Sequence, residues 1–170
     1  MRLQMFSPRV SQRRSVTSIL AVAALVLFIR ILGGAPLPAG GDEQTNPWSM
    51  SEVVQPADLA GELGKGLKPQ IICVGLDSLY REGHISGSAY LGPASKPQGL
   101  EELKKWAKGI PRGQRMILYC GCCPMDHCPN IRPAFKALRE VGFTRLQVLS
   151  IPHDLERDWV SKGFPTEKAK

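Results

Sequence analysis

The chain has 170 residues, enough for one domain with its own hydrophobic core, and a formal net charge of +7. Five of its 22 basic residues fall in the first 41, where no acidic residue stands, leaving 17 basic against 15 acidic residues over 42–170. That nearly neutral remainder excludes the basic face of a nucleic-acid-binding domain, and no nucleic-acid partner is expected.

Arg2, Arg9, Arg13 and Arg14 precede an apolar run, "SVTSILAVAALVLFI", which Arg30 interrupts. The run is short of the roughly 20 residues a bilayer-spanning helix needs, and charge followed by an apolar run is the order of an export signal. Pro36 and Pro38 crowd the place where a cleavage site is expected, so residues 1–35 read as a signal peptide or as an N-terminal membrane anchor. Arginines ahead of the run keep the N-terminus cytoplasmic and predict an exported domain, periplasmic or otherwise extracytoplasmic. A buried core helix is the alternative for this run. Residues 36–47, rich in Gly and Pro and without periodicity, form a flexible linker. The folded domain is expected over residues 48–168.

Within it, "MSEVV" is a short strand. "ADLAGELGKGL" follows as a helix, with Leu59, Leu63 and Leu67 on one face. "QIICVG" is a continuous apolar run suited to a buried parallel strand, and "DSLYREG" a helical turn capped by Asp77. "SAYLG" is a further strand. "GLEELKKWAKGI" predicts a helix with Leu100, Leu103 and Trp106 on its apolar face. "RMILY" is the next buried strand and runs directly into the cysteines. "NIRPAFKALREVGF" is a helix with Asn130 at its N-cap and Pro133 at its third position, where a missing N–H costs nothing. "RLQVLS" is a strand, and "DLERDWVSKG" a closing helix ended by Gly163. Strands alternating with helices predict an α/β sandwich around a mainly parallel sheet.

The stretch "YCGCCPMDHCPN" holds four of the five cysteines. It connects a strand end to a helix start, the place where ligands bind in open α/β sheets. Free N–H groups at the helix start stabilise a nearby anion, which lowers the pKa of a cysteine placed there. Such a thiolate is suited to nucleophilic sulfur chemistry.

Several pieces in this order resemble a rhodanese domain. "QIICVGLDSLYREGHISGSAYLGP" is similar to its first half, with Gly83, His84, Ile85, Gly87 and Ala89 matching a "GHI-x-GA" turn around an inserted Ser88. "MILYC" looks like the strand that ends at the rhodanese nucleophile, "LREVGF" like the helix end after it, and Trp159, Gly163, Phe164 and Pro165 like the closing signature. The resemblance covers roughly residues 49–167. It implies a rhodanese-like three-layer sandwich and a thiosulfate sulfurtransferase-like transferase acting through a persulfide. A small anionic donor such as thiosulfate would supply sulfur, and a thiol or cyanide would accept it. Cys120 inherits the role of catalytic cysteine nucleophile. The substrate-binding loop then comprises Gly121, Cys122, Cys123, Pro124, Met125, Asp126, His127, Cys128 and Asn130, with Arg132 facing it from the helix. No cofactor is implied.

Three departures accompany the likeness. Cys73, Val74 and Gly75 stand where the family usually has Asp-x-Arg. "SIPHDLERD" replaces a Gly-Gly turn. The loop is about five residues longer than the usual sulfur-binding ring. The alternative is a redox or non-catalytic module whose loop forms a disulfide, Cys120 or Cys123 with Cys128, or binds a metal. No metal ligand is assigned, because every ligand would come from one short loop and the adjacent Cys122 and Cys123 are expected to reach one ion poorly. Cys73 is read as a buried core residue, and His84 as fixing its turn rather than as a base.

Overall fold

Strand Met116–Tyr119 (β5) is apolar at every position, and all four side chains are buried. Only a strand covered on both faces is built that way. The computed structural model describes residues 45–169. The expectations for residues 1–35 and most of the linker lie outside them. Among the described residues, no helix is long and apolar enough to cross a membrane.

The strands are Val53–Val54 (β1), Gln70–Cys73 (β2), His84–Ile85 (β3), Ala89–Tyr90 (β4), β5, Leu146–Leu149 (β6) and Thr166–Glu167 (β7). Five of them form a parallel sheet in the order β1-β6-β5-β2-β4. The remaining two, β3 and β7, pair antiparallel beside it. The helices are Pro56–Gly64 (α1), Asp77–Glu82 (α2), Pro97–Ala107 (α3), Ile131–Glu140 (α4) and Leu155–Asp158 (α5). They cover both faces, giving a mainly parallel α/β sandwich of three layers.

Side chains alternate across a strand. Met116 and Leu118 therefore enter one core with Leu103 of α3 and Ala134, Phe135 and Leu138 of α4. Ile117 and Tyr119 enter the other, with Leu59 of α1, Ile85 and Trp159. Each fully buried aliphatic side chain contributes about 1.5–3 kcal/mol. Continuing the alternation past Tyr119 places Cys120 in the first core, facing α4.

Three local expectations are corrected. Leu67 lies past the end of α1 and is 54% exposed, because the glycines at 64 and 66 end the helix first. Leu76, not Asp77, is the N-cap of α2; Asp77 lies in its first turn and pairs with Arg81 at 2.7 Å. The closing helix breaks at Trp159 (φ −132°, ψ −62°) and resumes as a 3-10 turn, Val160–Lys162. There the fully buried indole donates its N–H to the Pro165 carbonyl at 3.0 Å, a contact that accompanies the turn inward.

Candidate functional site

Adjacent parallel strands β2 and β5 end in register, with Cys73 beside Tyr119. The chain then continues into Gly75 on one side and Cys120 on the other. A Cβ on Gly75 would lie 2.4 Å from the Cys120 carbonyl oxygen, so only glycine permits this approach. The glycine at position 75 thus makes room for the cysteine loop.

Gly121 turns the loop with a φ of +80°, and its carbonyl accepts the Leu155 N–H of α5 at 3.0 Å. Pro124 precedes a 3-10 turn, Met125–His127. The Met125 N–H donates to the Ile151 carbonyl at 2.9 Å, tying the loop to the chain beyond β6. Asp126 and His127 are exposed on this turn. Arg132, in the first turn of α4, donates to the Asp126 carbonyl and, at 2.8 Å, to the Asn46 side chain. It therefore faces the loop and braces its backbone.

The loop folds its four sulfurs together. Cys120 Sγ is 3.0 Å from Cys122 Sγ, and Cys122 Sγ is 3.5 Å from Cys123 Sγ. The Sγ atoms of Cys120, Cys122, Cys123 and Cys128 all lie within 4.8 Å of one another. The bend after Gly121 brings adjacent Cys122 and Cys123 into the same cluster, closer together than their adjacency in sequence led one to expect. Four thiolates around one zinc-sized ion, at about 2.3 Å each, stand about 3.8 Å apart. In an iron–sulfur cluster the four thiolates are shared among two or four irons and spread wider. The observed spacing suits a single ion.

Protons are distributed unevenly over these thiols. Cys128 is lowered from 9.0 to about 6, first because Cys120 donates to it, against the cost of burial, and then because the Asn130 and Ile131 backbone N–H groups do so at the start of α4. Cys120 is held far above the ordinary thiol value by its hydrogen bond to Cys128 and by burial. Cys123 is pushed up to about 12, mainly by burial. At neutral pH the thiolate therefore belongs to Cys128, and Cys120 holds its proton.

Other candidates are structural neighbours of the site. Cys73 is buried, and burial pushes it up to about 11. His84 is buried, with Nδ1 2.8 Å from the Tyr80 carbonyl and Nε2 3.3 Å from Glu167, so it joins α2 to β7. Tyr119, which no sequence motif marks, places its hydroxyl 3.1 Å from that of Ser88 and accepts the Ile85 N–H at 3.3 Å. It anchors the strand end from which Cys120 departs.

No protein-family model matches the chain, and no curated protein matches it. Solved structures do. A rhodanese-like domain from Anabaena is 23% identical with a TM-score of 0.52, over 71% of this chain and 81% of that one. A Bacillus halodurans protein is 19% identical with a TM-score of 0.55, over 87% and 86%. A thiosulfate sulfurtransferase from Pseudomonas aeruginosa is 21% identical with a TM-score of 0.51, over 80% of this chain but 21% of that enzyme. What these proteins share with the chain is the fold, which is rhodanese-like, and upon it this chain carries a tight cluster of four cysteines.

Proposed function

We propose that the domain is a rhodanese-like module whose loop binds one soft metal ion, Zn²⁺ or Cu(I), through Cys120, Cys122, Cys123 and Cys128. The observation that carries this reading is the convergence of the four sulfurs within 4.8 Å. Thiolate ligands select soft ions, and a set of four thiolates leaves no open position for catalysis. Such a site holds or passes on a metal. Its negative charge is offset by the Asn130 side-chain amide and by the N–H groups at the start of α4. Cys122 and Cys123 are half-buried, which leaves the ion within reach of an exchanging ligand.

The test is metal titration of the reduced full-length chain. One ion per chain is expected, with a chelator lowering the melting temperature because binding energy is folding energy. Single serine substitutions at the four positions should each weaken binding. A chain that shows no saturable binding, or a variant that binds as tightly as the parent, overturns the assignment.

A second reading is transfer of sulfane sulfur from an anionic donor such as thiosulfate to a thiol or cyanide, through a persulfide. The thiolate held by Cys128 at a helix start favours it, and in that case supports Cys128 rather than Cys120 as nucleophile. Metal-free protein would then gain the mass of one sulfur on exposure to thiosulfate. Cys128→Ser would abolish the gain, and Cys120→Ser would retain it.

Residues 1–35 support export, with the domain outside the cytoplasm and the segment kept as a membrane anchor if uncleaved. A reporter that is active only outside the cytoplasm, fused after residue 170, should then be active.

A further inference from the structure

The cysteine loop also walls a cavity of about 490 Å³, within the range of small-molecule sites. This cavity lies on the side of the second core: Tyr119, Leu155 and Val160 supply apolar wall, and Cys120 and Cys122 stand in the same lining. Charged groups in the lining are Glu82, Asp154 and Glu156 against Lys168, an excess of two negative charges. Asp154 accepts the Arg157 N–H as the cap of α5, and Glu156 accepts the Ser161 hydroxyl at 3.1 Å; both contacts leave the carboxylate charge in place. A partly enclosed mouth of one sign concentrates ligands of the other and repels its own.

We propose that this cavity binds a small cationic thiol or disulfide, with its charged end among Glu82, Asp154 and Glu156 and its sulfur presented to Cys122. Cys122 is the partner because it lines the cavity and is half-buried, whereas Cys120 is 3% exposed. Dianions such as thiosulfate are disfavoured by the same carboxylates. With a disulfide ligand the step is thiol–disulfide exchange. The Cys122 sulfur attacks one ligand sulfur, the ligand S–S bond breaks, and a mixed disulfide forms. The other half leaves as a thiol carrying the proton of the Cys122 S–H, so no external oxidant is needed. The inference depends on the cavity and one cysteine and not on four ligands, so it can fail while metal binding stands.

The test uses the full-length chain, reduced and metal-free. Cystamine, a dication, is compared with dithiodiglycolate, a dianion, and each rate is divided by that with a simple uncharged thiol. Modified cysteines are located by mass spectrometry. Cystamine should label Cys122 with a rate that saturates with concentration, preferred over the dianion by about tenfold or more. The Glu82→Gln and Glu156→Gln double variant should lose most of that preference, and Val160→Trp, which fills the cavity, should slow both reagents. Rates linear in concentration, equal or reversed charge preference, labelling mainly at another cysteine, or a preference unchanged in the double variant would each overturn the proposal.

Discussion

The side-chain amide of Asn130 donates to Cys120 Sγ at 3.4 Å, and its oxygen accepts the Ser95 N–H at 2.9 Å. Asparagine before a helix ordinarily caps it by accepting from that helix's own N–H groups. This one makes no such bond. Its side chain is buried between the loop before α3 and the cysteine loop, joining two segments that 35 residues separate. Cys128 lies at the same helix start and accepts the Asn130 and Ile131 backbone N–H groups.

Asn130→Ala should therefore injure both stability and the metal site. It leaves the Ser95 N–H without its partner, a cost of about 1–3 kcal/mol. Removing the contact to a ligating sulfur should weaken metal binding by about 10- to 100-fold. Asn130→Asp keeps an acceptor for Ser95 but replaces the donor to Cys120 with a negative charge. Denaturant unfolding should show Asp retaining more stability than Ala, while competition titration shows neither variant regaining the affinity. Parent-like affinity in Asp would mean that the amide donor to sulfur is irrelevant.

The Cys128 thiolate predicts a pH dependence in the metal-free, reduced protein. Its folded value, about 6, lies below the ordinary 9.0, so its contribution to stability is complete above about 9 and is lost as pH falls through 6. Cys120 is shifted the other way, so its contribution is present below the ordinary thiol value and lost as pH rises beyond it. Together they place the thiol-dependent stability maximum just below pH 9. Ultraviolet thiolate absorbance should rise in a step near pH 6 that Cys128→Ser removes. A first step at the ordinary thiol value in the parent would contradict the arrangement.

Gly75→Ala tests the close approach of the two strand ends. The added Cβ would sit 2.4 Å from the Cys120 carbonyl and 3.0 Å from its sulfur. Overpacking of this kind costs about 1–3 kcal/mol, and here the displaced backbone is that of a proposed ligand. The variant should unfold at lower denaturant and bind metal more weakly. A fully stable variant with normal affinity would show that the strand ends yield easily.

Cys73→Ala separates the fifth cysteine from the other four. Its thiol is buried beside Tyr119 in the sheet and makes a long 3.8 Å donation to the Cys120 carbonyl. The substitution should cost about 1 kcal/mol, as removal of a small buried side chain does. The metal content should remain one ion per chain. Loss of that ion would bring Cys73 into the site.

Much of the fold was legible because local patterns and tertiary burial agree. The apolar runs of β2 and β5 have room for no other element, and Pro133 admits only a helix start. The break at Trp159 was not legible, because it accompanies a hydrogen bond to Pro165 that no periodicity encodes. The exposure of Leu67 was missed for a related reason: helical spacing was extended past two glycines that end the helix.

At the site, the sequence by itself determined the cysteine-rich loop, its place between a strand end and a helix start, and the fold that presents it. Strand alternation even dictates that Cys120 faces α4, since the period of two carries on from Met116 and Leu118. Which thiol is ionised, and whether the sulfurs converge, only the tertiary structure decided. Both depend on contacts among residues whose sequence order does not reveal their spacing: the turn at Gly121 that folds Cys122 and Cys123 inward, the inward-turned Asn130, and the Asn130 and Ile131 N–H groups that donate to Cys128. A pKa is set by distances of a few ångströms in three dimensions, and a loop of this length can meet the same sequence spacing with many such distances.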